Sequence, residues 1–138
     1  MRKLAAILLC VFTMAIAASA LPKVPPMPGT LANARYVYVA AYDGDQFDPN
    51  LLSDDRAAIA RVQDAIQKWG KLILVYRPED ADVILIVQTR PSEDVLAVYD
   101  AHGSRSTYLW RVMGRAGLQK GEVPLVSQFE NAWEKVAH

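Results

Sequence analysis

The sequence predicts an α+β domain: a single mixed, mostly antiparallel sheet of about five strands with two helices packed on it, in the order β-α-β-β-β-β-α. Short runs rich in β-branched and aromatic residues recur along residues 34–138, as strands require. Two longer segments instead repeat apolar residues at helical spacing. The first strand–helix–strand unit allows a parallel pair, whereas the later strands follow one another closely, which favours antiparallel neighbours.

The first half of this domain is predicted to form a strand, a helix and a second strand. Residues 36–42 alternate tyrosines with small and β-branched residues, which is typical of a strand. The helix begins near Ser53 or Asp54, whose side chains can act as its N-cap. It ends at Gly70, which is suited to a left-handed C-cap. Residues 71–76 form the second strand. The apolar face of the helix consists of Ala58, Ile59, Val62, Ala65, Ile66 and Trp69.

The second half is predicted to form three strands and a closing helix. Residues 78–81 make a turn or a short helical tip. Residues 83–87 are apolar at every position, which predicts a central strand covered on both faces. Residues 95–99 and 108–113 form the fourth and fifth strands, joined by a hairpin loop. The last helix covers residues 124–137 and has a proline in its first turn.

Residues 1–20 have the pattern of a secretory signal peptide. Two basic residues, Arg2 and Lys3, precede an apolar run, and the run ends in a small-x-small sequence at Ala20. The apolar run is shorter than the roughly 20 residues of a membrane span. We therefore expect cleavage after Ala20 and a periplasmic or secreted product without a transmembrane span. A lipid anchor at Cys10 is the alternative, although Leu9 stands where a lipoprotein signal has a small residue.

Processing would change the composition of the chain. Removal of residues 1–20 from 138 leaves 118, the size of one domain. The only cysteine is lost, which excludes a disulfide, a thiolate metal ligand and a cysteine nucleophile. Removal of Arg2 and Lys3 from 15 basic and 15 acidic residues leaves a net charge of −2, which does not favour nucleic acid as a partner. Residues 21–33 contain four prolines and predict an extended linker before a domain at 34–138.

Two clusters of polar residues are candidates for chemistry. The carboxylates of Asp43, Asp45 and Asp48 offer oxygen ligands, but their spacing does not match a calcium-binding EF-hand loop. His102 lies in the predicted hairpin loop, close to Asp100 and two serines, but no nucleophile elbow is present. No glycine-rich phosphate loop is present either. The sequence therefore predicts no catalytic residue, cofactor or metal. A small hydrolase using His102 with Asp100 stays open as the alternative.

Aromatic and charged residues supply a candidate partner-binding set. Strand alternation places the tyrosines of residues 36–42 on one face, and it predicts a shared face for the aromatic residues of the fifth strand. Packing under the helices is the ordinary role of such a face, but an open face would suit an interface. Residues 42–55 contain five acids and no base, whereas residues 101–121 contain four bases and no acid. The candidate residues are Tyr36, Tyr38, Tyr42, Arg105, Tyr108, Trp110 and Arg111.

A family resemblance rests on three short motifs. Glu79-Asp80-Ala81-Asp82 runs into an apolar strand, a later strand ends in Tyr99-Asp100, and the next carries Leu109-Trp110-Arg111. With these motifs, residues 34–137 resemble a family of uncharacterised exported bacterial envelope proteins. In outline they are similar to the N-terminal domain of TolB and to lipoprotein domains of unknown function. The resemblance implies a non-enzymatic protein that binds an envelope protein or another cell-envelope component, and it carries over no catalytic residues.

Overall fold

The computed structural model describes residues 24–102, 107–119 and 123–137. The predicted signal peptide and Arg105 lie outside these ranges. Within them, five strands form one mixed sheet and two helices pack on it, which confirms the predicted α+β fold. The elements are β1 (Tyr36–Ala41), α1 (Ser53–Trp69), β2 (Ile73–Leu74), β3 (Val83–Gln88), β4 (Asp94–Asp100), β5 (Thr107–Gly114) and α2 (Pro124–Glu134), with short 3-10 turns at Gly29–Leu31 and Pro78–Asp80. Neither helix is both long and apolar enough to cross a membrane.

The strand order in the sheet is β2-β1-β3-β4-β5. Strand β1 pairs in parallel with β2 and with β3, because α1 and the following connection return the chain to the same end of the sheet. Strands β3, β4 and β5 pair antiparallel through ladders of six and seven residue pairs. The parallel ladders are shorter, with two and five pairs. Antiparallel pairing therefore accounts for most of the residue pairs in the sheet.

Helix α1 is held at both ends by specific contacts. Its N-cap is Leu52 rather than Ser53 or Asp54, and no side chain caps it. Asp55 is buried in the first turn, where its Oδ1 accepts hydrogen bonds from the hydroxyl and backbone N–H of Thr89 at 2.8 and 3.3 Å. This ties the start of α1 to the end of β3. Gly70 ends the helix with φ 75°, the left-handed conformation that the sequence predicts.

The main hydrophobic core lies between the two helices and one face of the sheet. Phe129 of α2 is fully buried at its centre. Its ring meets Trp69 and Trp110 edge-on, with centroid distances of 6.1 and 6.2 Å. Trp69 also meets Trp133 at 5.2 Å. These geometries are the favoured ones for aromatic pairs, so α1, α2 and β5 are joined through one aromatic cluster.

The proline-rich segment packs on the domain instead of forming a separate linker. Met27 and Leu31 are buried in the main core, so the packed chain begins before residue 34. Trp110 Nε1 donates to the carbonyl of Pro25 at 2.6 Å, and Trp133 Nε1 donates to the carbonyl of Leu31 at 3.2 Å. The segment therefore presents two backbone carbonyls, of Pro25 and of Leu31 in the 3-10 turn, to the indoles of Trp110 and Trp133.

Strand β3 is covered on one face only, which corrects the prediction of cover on both. Val83, Leu85 and Val87 are buried under the helices. Ile84 and Ile86 point the other way and are half-buried. The difference arises because α1 and α2 contribute to the same core, on the same side of the sheet. Among the described residues, the opposite side carries a small cluster to which neither helix contributes.

Candidate functional site

The face of the sheet opposite the helices is the candidate site, and we call it the open face. Side chains alternate between the two faces of each strand, so β1, β3, β4 and β5 each contribute to it. Its lining residues are Tyr38, Tyr42, Ile84, Ile86, Gln88, Val95, Ala97, Tyr99, Tyr108 and Arg111, with Arg90 at its edge.

Two adjoining depressions form the centre of the open face. The first has a volume of about 270 Å³ and the second about 120 Å³. They share Tyr42, Ile86 and Tyr99, so they make one continuous shallow surface. Ala40 and Ala97 keep the surface low where a longer side chain would fill it. A shallow, continuous depression suits contact with another surface better than enclosure of a small molecule.

Aromatic rings stand on both sides of an aliphatic floor. The floor is Ile84 and Ile86 of β3, which is the middle strand of the three that form the first depression. Tyr38 lies on the β1 side, and Tyr99 on the β4 side meets Tyr108 edge-on with a centroid distance of 5.6 Å. Because neighbouring strands lie about 4.8 Å apart, the two aromatic rows are roughly 10 Å apart.

Tyr38 is fixed at the β1 side of the open face. Only 8% of it is exposed, and its hydroxyl lies 3.4 Å from Asp45 Oδ2. Burial raises its pKa to about 12, with further contributions from Asp45 and from Glu79. The phenol therefore stays protonated and donates to the Asp45 carboxylate. Tyr42 is different, because 69% of it is exposed and free to contact a partner.

Charged side chains of both signs border the open face. Asp45 borders the β1 side through its contact with Tyr38. Arg111 of β5 and Arg90, which follows β3, line the second depression, and Arg90 donates to Gln88 Oε1 at 2.8 Å. Among the residues placed by the structure, neither arginine forms an ion pair with a carboxylate. The open face thus has one carboxylate beside β1 and two arginines at its second depression.

The structure brings most of the predicted interface residues together. Tyr38, Tyr42, Tyr108 and Arg111 line the open face. Tyr36 is 41% exposed at the start of β1 and shares that face by strand alternation.

Trp110 is the exception, because it is buried in the main core with 2% exposure. The register of β4 and β5 shifts between Val98 and Tyr99: Val98 pairs with Trp110, whereas Tyr99 pairs with Tyr108. This irregularity sends Tyr108 to the open face and Trp110 to the core, so the predicted shared face is wrong. A bulge of this kind breaks the alternation on which the prediction depended.

Sequence reasoning missed Tyr99, Arg90 and the two floor isoleucines. If only one face of the strand at 83–88 is covered, alternation places Ile84 and Ile86 on the uncovered face. The prediction of cover on both faces hid this signal. Nothing local places Tyr99 beside Tyr108, because their contact depends on the register of two strands.

The His102 site differs from the predicted hydrolase pair. His102 Nε2 lies 3.2 Å from Asp82 Oδ1, not against Asp100. Asp100 Oδ1 instead accepts the backbone N–H of His102 at 2.9 Å, which fixes the turn. Asp82 Oδ2 accepts the backbone N–H groups of Arg35 and Tyr36 at 2.8 and 3.0 Å. The imidazole therefore belongs to a cluster that anchors the start of β1 to β3.

The pKa of Asp82 reflects this anchoring role. Partial burial raises the pKa, but the two backbone donors and His102 outweigh it, and the pKa lies below its ordinary value. A carboxyl with a lowered pKa in the folded state stabilises the fold above its unfolded pKa and loses that effect as the pH falls through the folded value.

Asp82→Asn is expected to lower the free energy of unfolding by about 1 kcal/mol at pH 7, because the amide cannot replace a charged acceptor of several donors. The difference from wild type should shrink as the pH falls below about 4, the ordinary pKa of the carboxyl in the unfolded chain, and then through the lower pKa of folded Asp82. Urea unfolding of both proteins at pH 7, 5 and 3 measures this difference in the free energy of unfolding. Asp64→Asn, on the exposed side of α1, serves as the matched control. A difference that stays constant with pH would contradict the charge argument.

The acidic loop after β1 uses its carboxylates to hold its own backbone. Asp45 Oδ1 accepts the N–H of Phe47 at 2.9 Å, and Asp48 Oδ1 accepts the N–H of Asn50 at 2.8 Å. These are the local turns that aspartate commonly forms. Across the three described ranges, no group of three or more histidine, cysteine or acidic side chains is arranged to hold a metal ion.

Comparison with known proteins gives little further information. No protein-family model matches the chain. No curated protein matches it. Among solved structures it is similar to a PelC variant from Paraburkholderia phytofirmans, which is described as a dodecamer. The identity is 14%, the match covers 83% of this chain and 90% of that chain, and the TM-score is 0.35. A similarity at this level carries no functional assignment.

Proposed function

We propose that this chain is a non-enzymatic, exported interaction module that binds an envelope protein or another cell-envelope component through the open face. One observation carries the proposal: a continuous aromatic and aliphatic sheet face that no helix covers within the described ranges. Export is supported by the signal-peptide pattern of residues 1–20 and by the resemblance of residues 34–137 to exported envelope proteins.

The composition of the open face is that of an interface. Tyrosine and arginine are enriched in protein interfaces, where a flat ring buries a large area while its hydroxyl keeps a polar contact. Tyr42 and Tyr108 are 69% and 50% exposed, so two large rings face solvent on this side. Burial of these rings by a partner would release ordered water and stabilise the complex.

Site-specific photo-crosslinking in the producing cells tests the proposal. A photo-reactive amino acid at Tyr108 should give discrete crosslinked products recovered outside the cytoplasm. The same group at Gln67, an exposed residue of α1 on the helical side, should give none of these products. Tyr42→Ala in the Tyr108-labelled chain should reduce the yield several-fold, because truncation of an interface aromatic commonly costs about 1 kcal/mol or more.

Two results would reject this function. Identical products from Tyr108 and Gln67 would show that the open face is not a specific contact surface. Retention of the whole chain in the cytoplasm would contradict export.

A further inference from the structure

We infer that the open face binds a segment of a partner protein that carries a carboxylate beside an apolar side chain, and that Arg90 and Arg111 hold this carboxylate. The inference rests on the proposed function and deepens it, because it states the chemistry of the partner. It is argued from the register of the strands, which forms a trough across the open face, and from the two arginines that line this trough.

The trough follows a line of low side chains across the strands. Ile86 of β3 is paired with Ala40 of β1 and with Ala97 of β4. Arg111 of β5 is paired with Ala97, so it ends the same line. The two alanines keep the line low. Longer side chains stand along the strands on either side of it: Tyr38, Tyr99 and Tyr108 on one side, and Tyr42, Gln88 and Met113 on the other.

The trough is about as wide as one segment of protein chain. Its two sides lie four residues apart along β3 and β4, which is roughly 13 Å. A helix with its side chains is about 10 to 12 Å across, and an extended segment is narrower. Tyr42 and Tyr108, which are 69% and 50% exposed, stand above the buried Ala97. A broad flat surface would rest on these two rings, whereas a narrow segment reaches the floor between them.

Two arginines give the trough binding groups for an anion. Arg111 ends the trough at β5, and Arg90, which follows β3, lines the same depression. Arg90 donates to the neutral Gln88, and within the described parts of the chain neither guanidinium pairs with a carboxylate. A guanidinium has several N–H donors in a planar fork, so both arginines keep donors for a partner. This donor geometry matches a carboxylate or a phosphate.

The acidic loop after β1 favours a single carboxylate over an extended anionic surface. Asp45 contacts Tyr38 beside β1, and the exposed Asp43 follows Tyr42 directly. A bilayer of anionic phospholipids that reached both arginines would also approach these two carboxylates, and like charges repel. One carboxylate on a narrow segment meets the arginines alone.

The apolar floor of the trough explains the apolar neighbour of the carboxylate. Ile86 and Ala97 line the same depression as Arg111. A partner side chain that covers them removes water from around the arginine, and an ion pair is stronger where water is excluded. Ile86 and Arg111 lie two strands apart, which is roughly 10 Å or about three residues of an extended chain. We therefore expect an aspartate or glutamate within about three residues of a large apolar side chain.

Carbodiimide coupling tests the position of the carboxylate. The reagent joins a carboxylate to a lysine amine in contact with it, with loss of water, and it does not couple arginine. In cells that produce the full chain with Arg111→Lys, we expect an amide link from the introduced lysine to an acidic side chain of another protein, located by mass spectrometry. Arg115→Lys, an exposed substitution beyond the end of β5, is the matched control and should give no such link. The native Lys68 of α1 is an internal control on the helical side.

A synthetic peptide with the linked sequence measures the contribution of charge. Replacement of its acidic residue by the corresponding amide should raise the dissociation constant about tenfold, because the hydrogen bonds to a charged acceptor are lost. Arg111→Gln should cause a similar loss with the acidic peptide and a change within about twofold with the amide peptide. Circular dichroism verifies that the variant folds. The dissociation constant of the acidic peptide should also rise with salt.

The outcomes separate this inference from the proposed function. If Arg111→Lys gives no link while the Tyr108 crosslinks persist, the interaction module stands and the acidic segment is wrong. A link only between two copies of this chain would also overturn the inference. So would binding of the chain to phosphatidylglycerol vesicles that Arg111→Gln abolishes, because the anion would then be a lipid phosphate. Loss of both the link and the Tyr108-specific crosslinks would reject both proposals.

Discussion

Phe129→Ala should lower the free energy of unfolding by about 3 to 5 kcal/mol, the range for truncation of a buried aromatic residue. Phe129 has 0% exposure and contacts both Trp69 and Trp110 edge-on. These neighbours belong to α1 and β5, so they cannot close the cavity without shifting separate elements. The loss is a large part of the roughly 5 to 15 kcal/mol that stabilises a typical domain.

Phe47→Ala is the matched control for this substitution. It removes the same atoms from a side chain that is 67% exposed, so we expect a change within about 0.5 kcal/mol. Chemical denaturation followed by tryptophan fluorescence measures the free energy of unfolding of both variants, with the midpoint and slope of each curve fitted together. If the two substitutions lowered the free energy of unfolding equally, the aromatic cluster around Phe129 would not be the centre of the core.

Gly117→Ala should destabilise the domain by about 1 to 3 kcal/mol through overpacking. An added Cβ would come within 2.7 Å of Leu125 Cδ1 and still closer to Leu125 Cγ. Leu125 is fully buried, so it has no space into which to move. The backbone of this segment is also held, since the buried Asp94 accepts the N–H of Leu118 at 2.9 Å and Gly117 O accepts the N–H of Leu125 at 3.2 Å.

A double-mutant cycle isolates the clash. Gly117→Ala should cost less in the Leu125→Ala background, because the truncated side chain leaves room for the new methyl group. Gly29→Ala is the control, as a Cβ there has nothing within 4 Å. An equal cost in both backgrounds would mean that the conformation of Gly117, and not its contact with Leu125, sets the penalty.

Local patterns predict the elements of this fold better than their packing. The periodicity of α1 and the position of Gly70 identify the helix and its left-handed end, because both depend on residues near one another in sequence. Which face of a strand is covered by helices depends on tertiary packing. An all-apolar strand is consistent with one covered face or two, so the exposure of Ile84 and Ile86 could not be read from β3 alone.

The same distinction explains the candidate site. Tyr38 and Tyr42 could be placed together because β1 is regular. Trp110 could not be placed, because one irregularity opposite Val98 and Tyr99 moves it to the other face. The prolines before residue 34 predict a linker because they disfavour helices and strands, whereas the packing of this segment depends on two indole donors distant in sequence.

Those two indole contacts also determine on which side of the sheet residues 25–31 lie. Pro25 and Leu31 are held by tryptophans of the main core, so the chain joins the domain on the helical side of the sheet. The open face lies on the other side. The first described residues and the tyrosine-lined surface therefore lie on opposite sides of the sheet, so a partner could cover the open face without displacing the two indole contacts.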